Sequence, residues 1–375
     1  MTATSTTSIE ITNAHTTSRL NVRRAKDQDA ARWDNFASSH SQGTPYHRWA
    51  WKQAMEDAYG VTTHYFLAET SDGSVVGILP AARVPHPLGR GKLCSLPYCD
   101  LGETLANDTQ IQQRLFDALR GENKGAHEVR GSAKRKDTFS NAGESELQLG
   151  QKVRLLLDLP ESSAELLAGF KSKHRSQINK AVKNGLTGSV GNSPERVAQF
   201  YEVFSRNMRD LGSPTHSLRW FNAISECYGD DCLIGLVSLD DKVIGGGIVL
   251  ISGGRAAIPW ASTLRDYNRL APNMLLYWSL LEAVTDKGCE SFDFGRSSFG
   301  EGTYRFKTQW GALPVPLEWL TYNDAAVISN NITPPTTATT ANGNRVRAMV
   351  EAAWRHLPLP LTIAAGSRLR PYVSL

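Results

Sequence analysis

Residues 291–320, SFDFGRSSFGEGTYRFKTQWGALPVPLEWL, gather the side chains best suited to chemistry. Phe292 and Phe294 alternate in a short strand pattern that ends at Gly295, before Arg296, Ser297, Ser298 and a glycine-bracketed Glu301. Asp293 lies between the two phenylalanines and points to the opposite face, where a carboxylate at a strand end can orient an amine or accept a proton. Arg296 and Lys307 are cations suited to the oxyanion that develops in acyl transfer. Tyr304-Arg305-Phe306-Lys307 reads as a further strand, with both rings on one face and both cations on the other. Lys307, Asp293 and Arg296 are therefore the candidate catalytic residues, with Tyr304 and Phe306 beside the substrate.

A second candidate is KSKHRSQINKAVK, Lys171–Lys183, in a stretch that has no acid between Glu165 and Glu195. Helical spacing puts Phe170, His174, Ile178, Ala181 and Val182 on one face and Lys171, Arg175 and Lys180 elsewhere on the wheel. Such a helix either presents a solvated surface or grips phosphate and carboxylate groups, with Arg175 bidentate and the lysines as point charges. Asn273, after Pro272, is placed to cap a following helix and leave its N–H groups to an anion. Trp260 is taken as an aromatic substrate contact.

Other chemistries lack their residues. The histidines are scattered, and neither HExxH nor GxSxG occurs, which argues against a zinc hydrolase or a serine hydrolase. The five cysteines do not match common zinc spacings and read as buried free thiols. Gly245–Gly247 lies inside a strand pattern and opens no helix, so it reads as close packing or a bulge rather than a phosphate loop. A net charge of +4 and a pI near 8.7 permit an anionic substrate but fall short of a dedicated nucleic-acid binder.

The elements that position these residues follow a repeated plan. Tyr59-Gly60 recurs as Tyr228-Gly229 at an offset of 169, and Val75-Val76-Gly77 as Val243-Ile244-Gly245 at 168. Each copy reads as a helix stopped by glycine, then two strands joined by an acidic turn. Downstream, helices at Asp108–Leu119 and Asn273–Thr285 precede strands at His127–Arg130 and Ser291–Phe294. A duplicated α/β unit is expected. The divisions are a disordered tail at 1–19, domain one at 20–150, domain two at 151–322, a low-complexity linker at 323–344 and, at 345–375, a helix from Arg345 to His356 with a proline-punctuated basic tail. With no apolar run long enough to span a bilayer, a cytoplasmic location is expected. The acid-free tail, carrying Arg355, Arg368 and Arg370, is a candidate for peripheral membrane contact.

FKSKHRSQINKAVKNGL, NMRDLGSPTHSLRWF, APNMLLYWSLLEAVTDKG and FDFGRSSFGEGTYRFKTQWG together resemble the FemAB-like proteins of the GNAT acyltransferase superfamily, in particular the subgroup associated with exosortase/PEP-CTERM systems of exopolysaccharide producers. The resemblance covers roughly residues 20–322. It implies an α/β (α+β) fold of two tandem GNAT-like domains, each a mostly antiparallel sheet flanked by helices. It also implies N-acyl or aminoacyl transfer to an amine of a cell-envelope, exopolysaccharide or peptidoglycan-type precursor. In that family the basic segment helps hold the acceptor, here Arg175, Lys180 and Lys171, and a Phe-Lys pair marks the transfer site, here Phe306-Lys307. No tightly bound cofactor is implied, and the donor is aminoacyl-tRNA or acyl-CoA. Where CoA-using relatives carry a glycine-rich turn this chain reads RDYNRLAPN, and no long helical arm for tRNA is present, so the donor stays open. The alternative is a non-catalytic GNAT-like binding or scaffold protein.

Overall fold

Both helices that carry the repeated Tyr-Gly stop where the sequence places it. Trp49–Tyr59 ends at Gly60 (φ 63°) and Leu218–Tyr228 at Gly229 (φ 55°), backbone that a side chain would strain. Phe66–Glu69 and Val75–Leu79 then pair antiparallel, as do Cys232–Leu239 and Lys242–Ser252. The computed structural model describes residues 20–374 except 87–88, 123–126, 134–146, 324–325 and 331–340. The expected N-terminal tail and most of the low-complexity linker lie outside the described residues.

The repeat continues downstream. Strand Gly89–Cys94, helix Thr109–Glu122 and strand His127–Ser132 answer to strand Arg255–Thr263, helix Pro272–Asp286 and strand Ser291–Ser298. In each copy the strand after the helix runs parallel to the strand before it, with Leu93 opposite His127 and Ala256 opposite Phe292. Among the described residues all other strand pairs are antiparallel. The fold is thus α/β with two tandem GNAT-like units.

A twelve-stranded sheet runs through both units, and a four-stranded sheet completes the first. Leu313–Asn323 joins the two: Val315 lies opposite Arg154 in strand Lys152–Asp158, and Leu320 opposite Val129 in the first unit. Ala326–Asn330 forms a strand against this segment where a loop was expected. The C-terminal segment also differs from expectation. Helix Ala341–His356 is followed by a second helix, Leu359–Leu369, because Pro358 and Pro360 fall at its start, where a missing N–H costs nothing.

The repeated helices pack on each other. Trp51 meets Trp220 edge-on at 5.3 Å, and Tyr59 stacks on Trp220 at 5.2 Å. Such pairs are worth about 0.5–1.5 kcal/mol each beyond their burial. Tyr228 Oη donates to Pro45 O at 2.7 Å, and Arg48 pairs with Asp231 at 2.7 Å, so both units share one aromatic core. The glycine triplet marks close packing: a Cβ on Gly246 would come within 3.1 Å of Phe200, and one on Gly247 within 3.2 Å of Leu280. All five cysteines are free, four of them buried. Among the described residues no helix is long and apolar enough to cross a membrane.

Candidate functional site

In the second unit the parallel pairing between the two inner strands is short. Arg255–Ala257 face Ser291–Asp293, and beyond this the strands part. Ile258 to Ser262 form one wall of the wedge and Phe294 to Arg296 the other, enclosing a cavity of about 400 Å³. Tyr46, Tyr98, Cys99 and Asp100 of the first unit close it. The equivalent wedge of the first unit is filled by Arg130, 1% exposed, which donates to Leu96 O and Cys99 O and pairs with Glu128. Among the described residues only the second wedge is open. Lys134, Arg135 and Lys136, which follow the first unit's inner strand in the sequence, lie outside the described residues.

Lys307 enters this cavity from a helix, Gly302–Thr308, not from the strand expected at Tyr304–Lys307. Four alternating residues are too few to separate a period of 2 from one of 3.6. The helical turn buries Tyr304 and Lys307 together, three residues apart, and leaves Arg305 exposed. Lys307 Nζ donates to Gly295 O at 3.2 Å and Arg296 O at 2.9 Å. Those carbonyls turn inward because strand Ser291–Ser298 bulges between Asp293 and Arg296, with Gly295 at φ 72°. Burial lowers the Lys307 pKa to about 8, against the pull of Asp100 and Asp293, which raise it, while Arg296 lowers it further.

Asp293 and Lys307 are separated. The Asp293 carboxylate accepts from Gly295 N at 2.8 Å and pairs with Arg154 at 2.9 Å, in a neighbouring cavity that Lys307 does not line. Its direct partners are therefore the bulge and Arg154. Arg296 does line the Lys307 cavity; its N–H donates to Asp100 at 3.2 Å, and its guanidinium lies over Trp319 at 5.2 Å.

The remaining candidates divide in the same way. Trp260 lines the cavity and stacks on Trp51 at 6.0 Å. Phe306 packs edge-on against Tyr277, which lines the cavity, and Tyr304 packs against Phe299. Arg175 donates to the carbonyls of Ala168 and Phe170, holding the turn into helix Ser172–Lys183. Lys171 lines a separate cavity of about 490 Å³ with Phe170, His174 and Trp310, and Lys180 is exposed. Val182, expected on the buried face, is 54% exposed because it falls off the Phe170–His174–Ile178–Ala181 stripe. Asn273 does not cap its helix. The cap position is Ala271, at φ 63°, and Asn273 is the second helical residue.

Two residues that complete the cavity, His216 and Arg370, were not among the expected site residues. Arg370 comes from the C-terminal segment, whose Pro371 O accepts from Tyr98 Oη at 2.9 Å and whose Ser374 O accepts from Tyr98 N at 2.7 Å. Arg370 Nε donates to His216 Nε2 at 2.9 Å. From sequence this segment was a free basic tail, since contacts some 270 residues apart leave no local pattern.

Residues 169–308 match the family described as acetyltransferase (GNAT) domain. The chain also superposes on a structure titled FemX with a TM-score of 0.63 at 14% identity, covering 79% of this chain and 95% of that one. The second unit is thus similar to GNAT acetyltransferase domains, and the chain as a whole shares the fold of FemX. The chain further resembles in fold L-PGS from Bacillus licheniformis (TM-score 0.50, 11% identity, 88% and 98% covered). A conserved protein of unknown function from Bacteroides thetaiotaomicron gives 0.51 at 9% identity, with 80% and 99% covered. None of the curated proteins matches the sequence.

The turn before helix Pro272–Asp286 stands where the sequence lacks the glycine-rich motif expected of CoA-using relatives. That turn is the 3-10 segment Arg265–Leu270, leading to Ala271 in left-handed backbone. A methyl group thus stands where glycine would let a pyrophosphate approach the backbone most closely. Among the described residues no cluster suited to a metal ion occurs.

Proposed function

We propose that this protein transfers an activated acyl or aminoacyl group to an amine of a cell-envelope, exopolysaccharide or peptidoglycan-type precursor, in an exosortase/PEP-CTERM setting. The observation that carries the reading is Lys307: a buried ammonium with a pKa lowered to about 8, held by two backbone carbonyls in the open wedge of a GNAT-like sheet. The acceptor nitrogen attacks the carbonyl carbon of an ester or thioester, forming the new C–N bond. The electron pair moves to the carbonyl oxygen, where Lys307 and Arg296 offset its charge. Collapse breaks the C–O or C–S bond, and the amine proton passes to the departing alkoxide or thiolate. Asp293 supports this from outside the cavity by fixing the bulge.

Aminoacyl-tRNA and acyl-CoA are both suitable donors chemically, and the alanine-bearing turn supports the former. The test supplies each donor with an amine-rich envelope extract and follows acylated amines by mass. Lys307→Ala is expected to lower turnover by about 10²–10³-fold with its melting transition retained; transfer at the wild-type rate would overturn the assignment. The same turn also favours a second reading, a non-catalytic precursor-binding protein, which any turnover above background excludes. Exposed Met349, Val350, Leu361 and Leu369 on the last two helices support a surface contact for that segment. Co-sedimentation with anionic liposomes, lost on replacing these residues by serine, tests it.

A further inference from the structure

We propose that Arg370 and Arg296 form an anion subsite in the Lys307 cavity, fitted to a carboxylate or phosphate group of the substrate. The proposal rests on that cavity being the transfer site and names a feature its substrate must carry. Among the described residues three cations line the cavity, Arg296, Lys307 and Arg370, against one carboxylate, Asp100, which holds Arg296. Lys307 is buried and both arginines are half-buried, so like charges crowd together at a cost that a bound anion would offset.

The way Arg370 is held points the same way. Its partner is a neutral imidazole rather than a carboxylate. His216 is 2% exposed, stacked on Trp220 at 5.4 Å, with Nδ1 at 2.6 Å from the Tyr59 hydroxyl. Since Arg370 always donates, Nε2 must accept and Nδ1 must carry the proton, which fixes the tautomer. Burial, with Arg370 beside it, pushes the histidine pKa well below its ordinary value, so the ring stays neutral. A carboxylate would cancel the guanidinium charge, whereas His216 orients it and leaves it in full. Nε is engaged by His216 and Nη1 lies 3.4 Å from Val373 O; among the described residues Nη2 has no protein partner. The free edge of a guanidinium is the group that carboxylates and phosphates select.

The test titrates the full chain with inorganic pyrophosphate and, separately, with glutarate at constant ionic strength, following heat of binding. Wild type is expected to bind at least one probe, and the preferred probe tells phosphate from carboxylate. Arg370→Gln should weaken it tenfold or more, while Arg368→Gln, an exposed arginine on the same segment, should not. If Arg370→Gln does not fold, Arg370→Lys, which keeps the charge but loses the planar fork, should still weaken binding severalfold. Unchanged affinity in the folded Arg370 variants, or no binding of either probe to wild type, overturns the subsite. Turnover of Lys307→Ala tests the site itself by a different readout, so the two can fail separately.

Discussion

At the residue scale, the decisive quantity is the charge on Lys307. If its ammonium form stabilises the oxyanion, the rate of the chemical step falls as pH rises through about 8. Lys307→Arg should move that limb upward, and single-turnover rates from pH 6.5 to 9.5 would show it. Stability runs the other way. The folded pKa lies near 8, below the ordinary 10.5, so between these values the unfolded chain binds a proton the native one lacks. Native stability relative to Lys307→Met should therefore rise across this window, by roughly 3 kcal/mol. Denaturant melts of both proteins at pH 7.5 and 10 measure it, and a flat difference would mean Lys307 is not held at a lowered pKa. Lys307, Arg296 and Trp260 were readable as candidates because charge and aromaticity are visible in sequence. That they share a cavity while Asp293 faces another was not, because the bulge that separates them is a register shift.

At the element scale, the bulge in strand Ser291–Ser298 turns residue chemistry into geometry. Asp293→Ala removes the Gly295 N–H acceptor and leaves Arg154, whose Nε is already without a partner, with an uncompensated buried charge. The expected loss is about 3–5 kcal/mol in urea denaturation, with a fall in turnover at temperatures where the variant is folded. The sheet behind the site gives a second prediction. Gly246→Ala forces a Cβ to within 3.1 Å of Phe200 and 3.2 Å of Leu236, both buried, and should cost about 1–3 kcal/mol. A melt unchanged from wild type would contradict the packing. Element types were legible where the pattern was long, as in helix Pro272–Asp286 and strand Lys242–Ser252. The seven-residue helix Gly302–Thr308 was read as a strand because neither period could establish itself over so few positions.

At the scale of the whole molecule, the cavity exists because two copies of one unit meet and the C-terminal segment closes over them. Truncation after Leu357 removes Arg370 and the carbonyls of Pro371 and Ser374 that hold Tyr98, itself in left-handed backbone at φ 69°. The truncated chain should keep its far-ultraviolet dichroism apart from the lost helix, melt several degrees lower and lose at least tenfold in kcat/KM; wild-type kcat/KM would separate the segment from the site. The contact between units is testable apart from it. Tyr228→Phe deletes the hydrogen bond to Pro45 O and should cost about 1 kcal/mol by denaturant titration.

The sequence alone determined the duplicated plan, the stops at Gly60 and Gly229, the buried stripe of the basic helix and the candidacy of Lys307, because helix caps, turn residues and hydrophobic periods act over a few neighbouring positions. Only the tertiary structure decided that one wedge is filled by Arg130 and the other left open, that Asp293 fixes a bulge, and that Arg370 reaches the site against His216. Those outcomes depend on how distant segments compete for the same volume and charge, which no local pattern encodes.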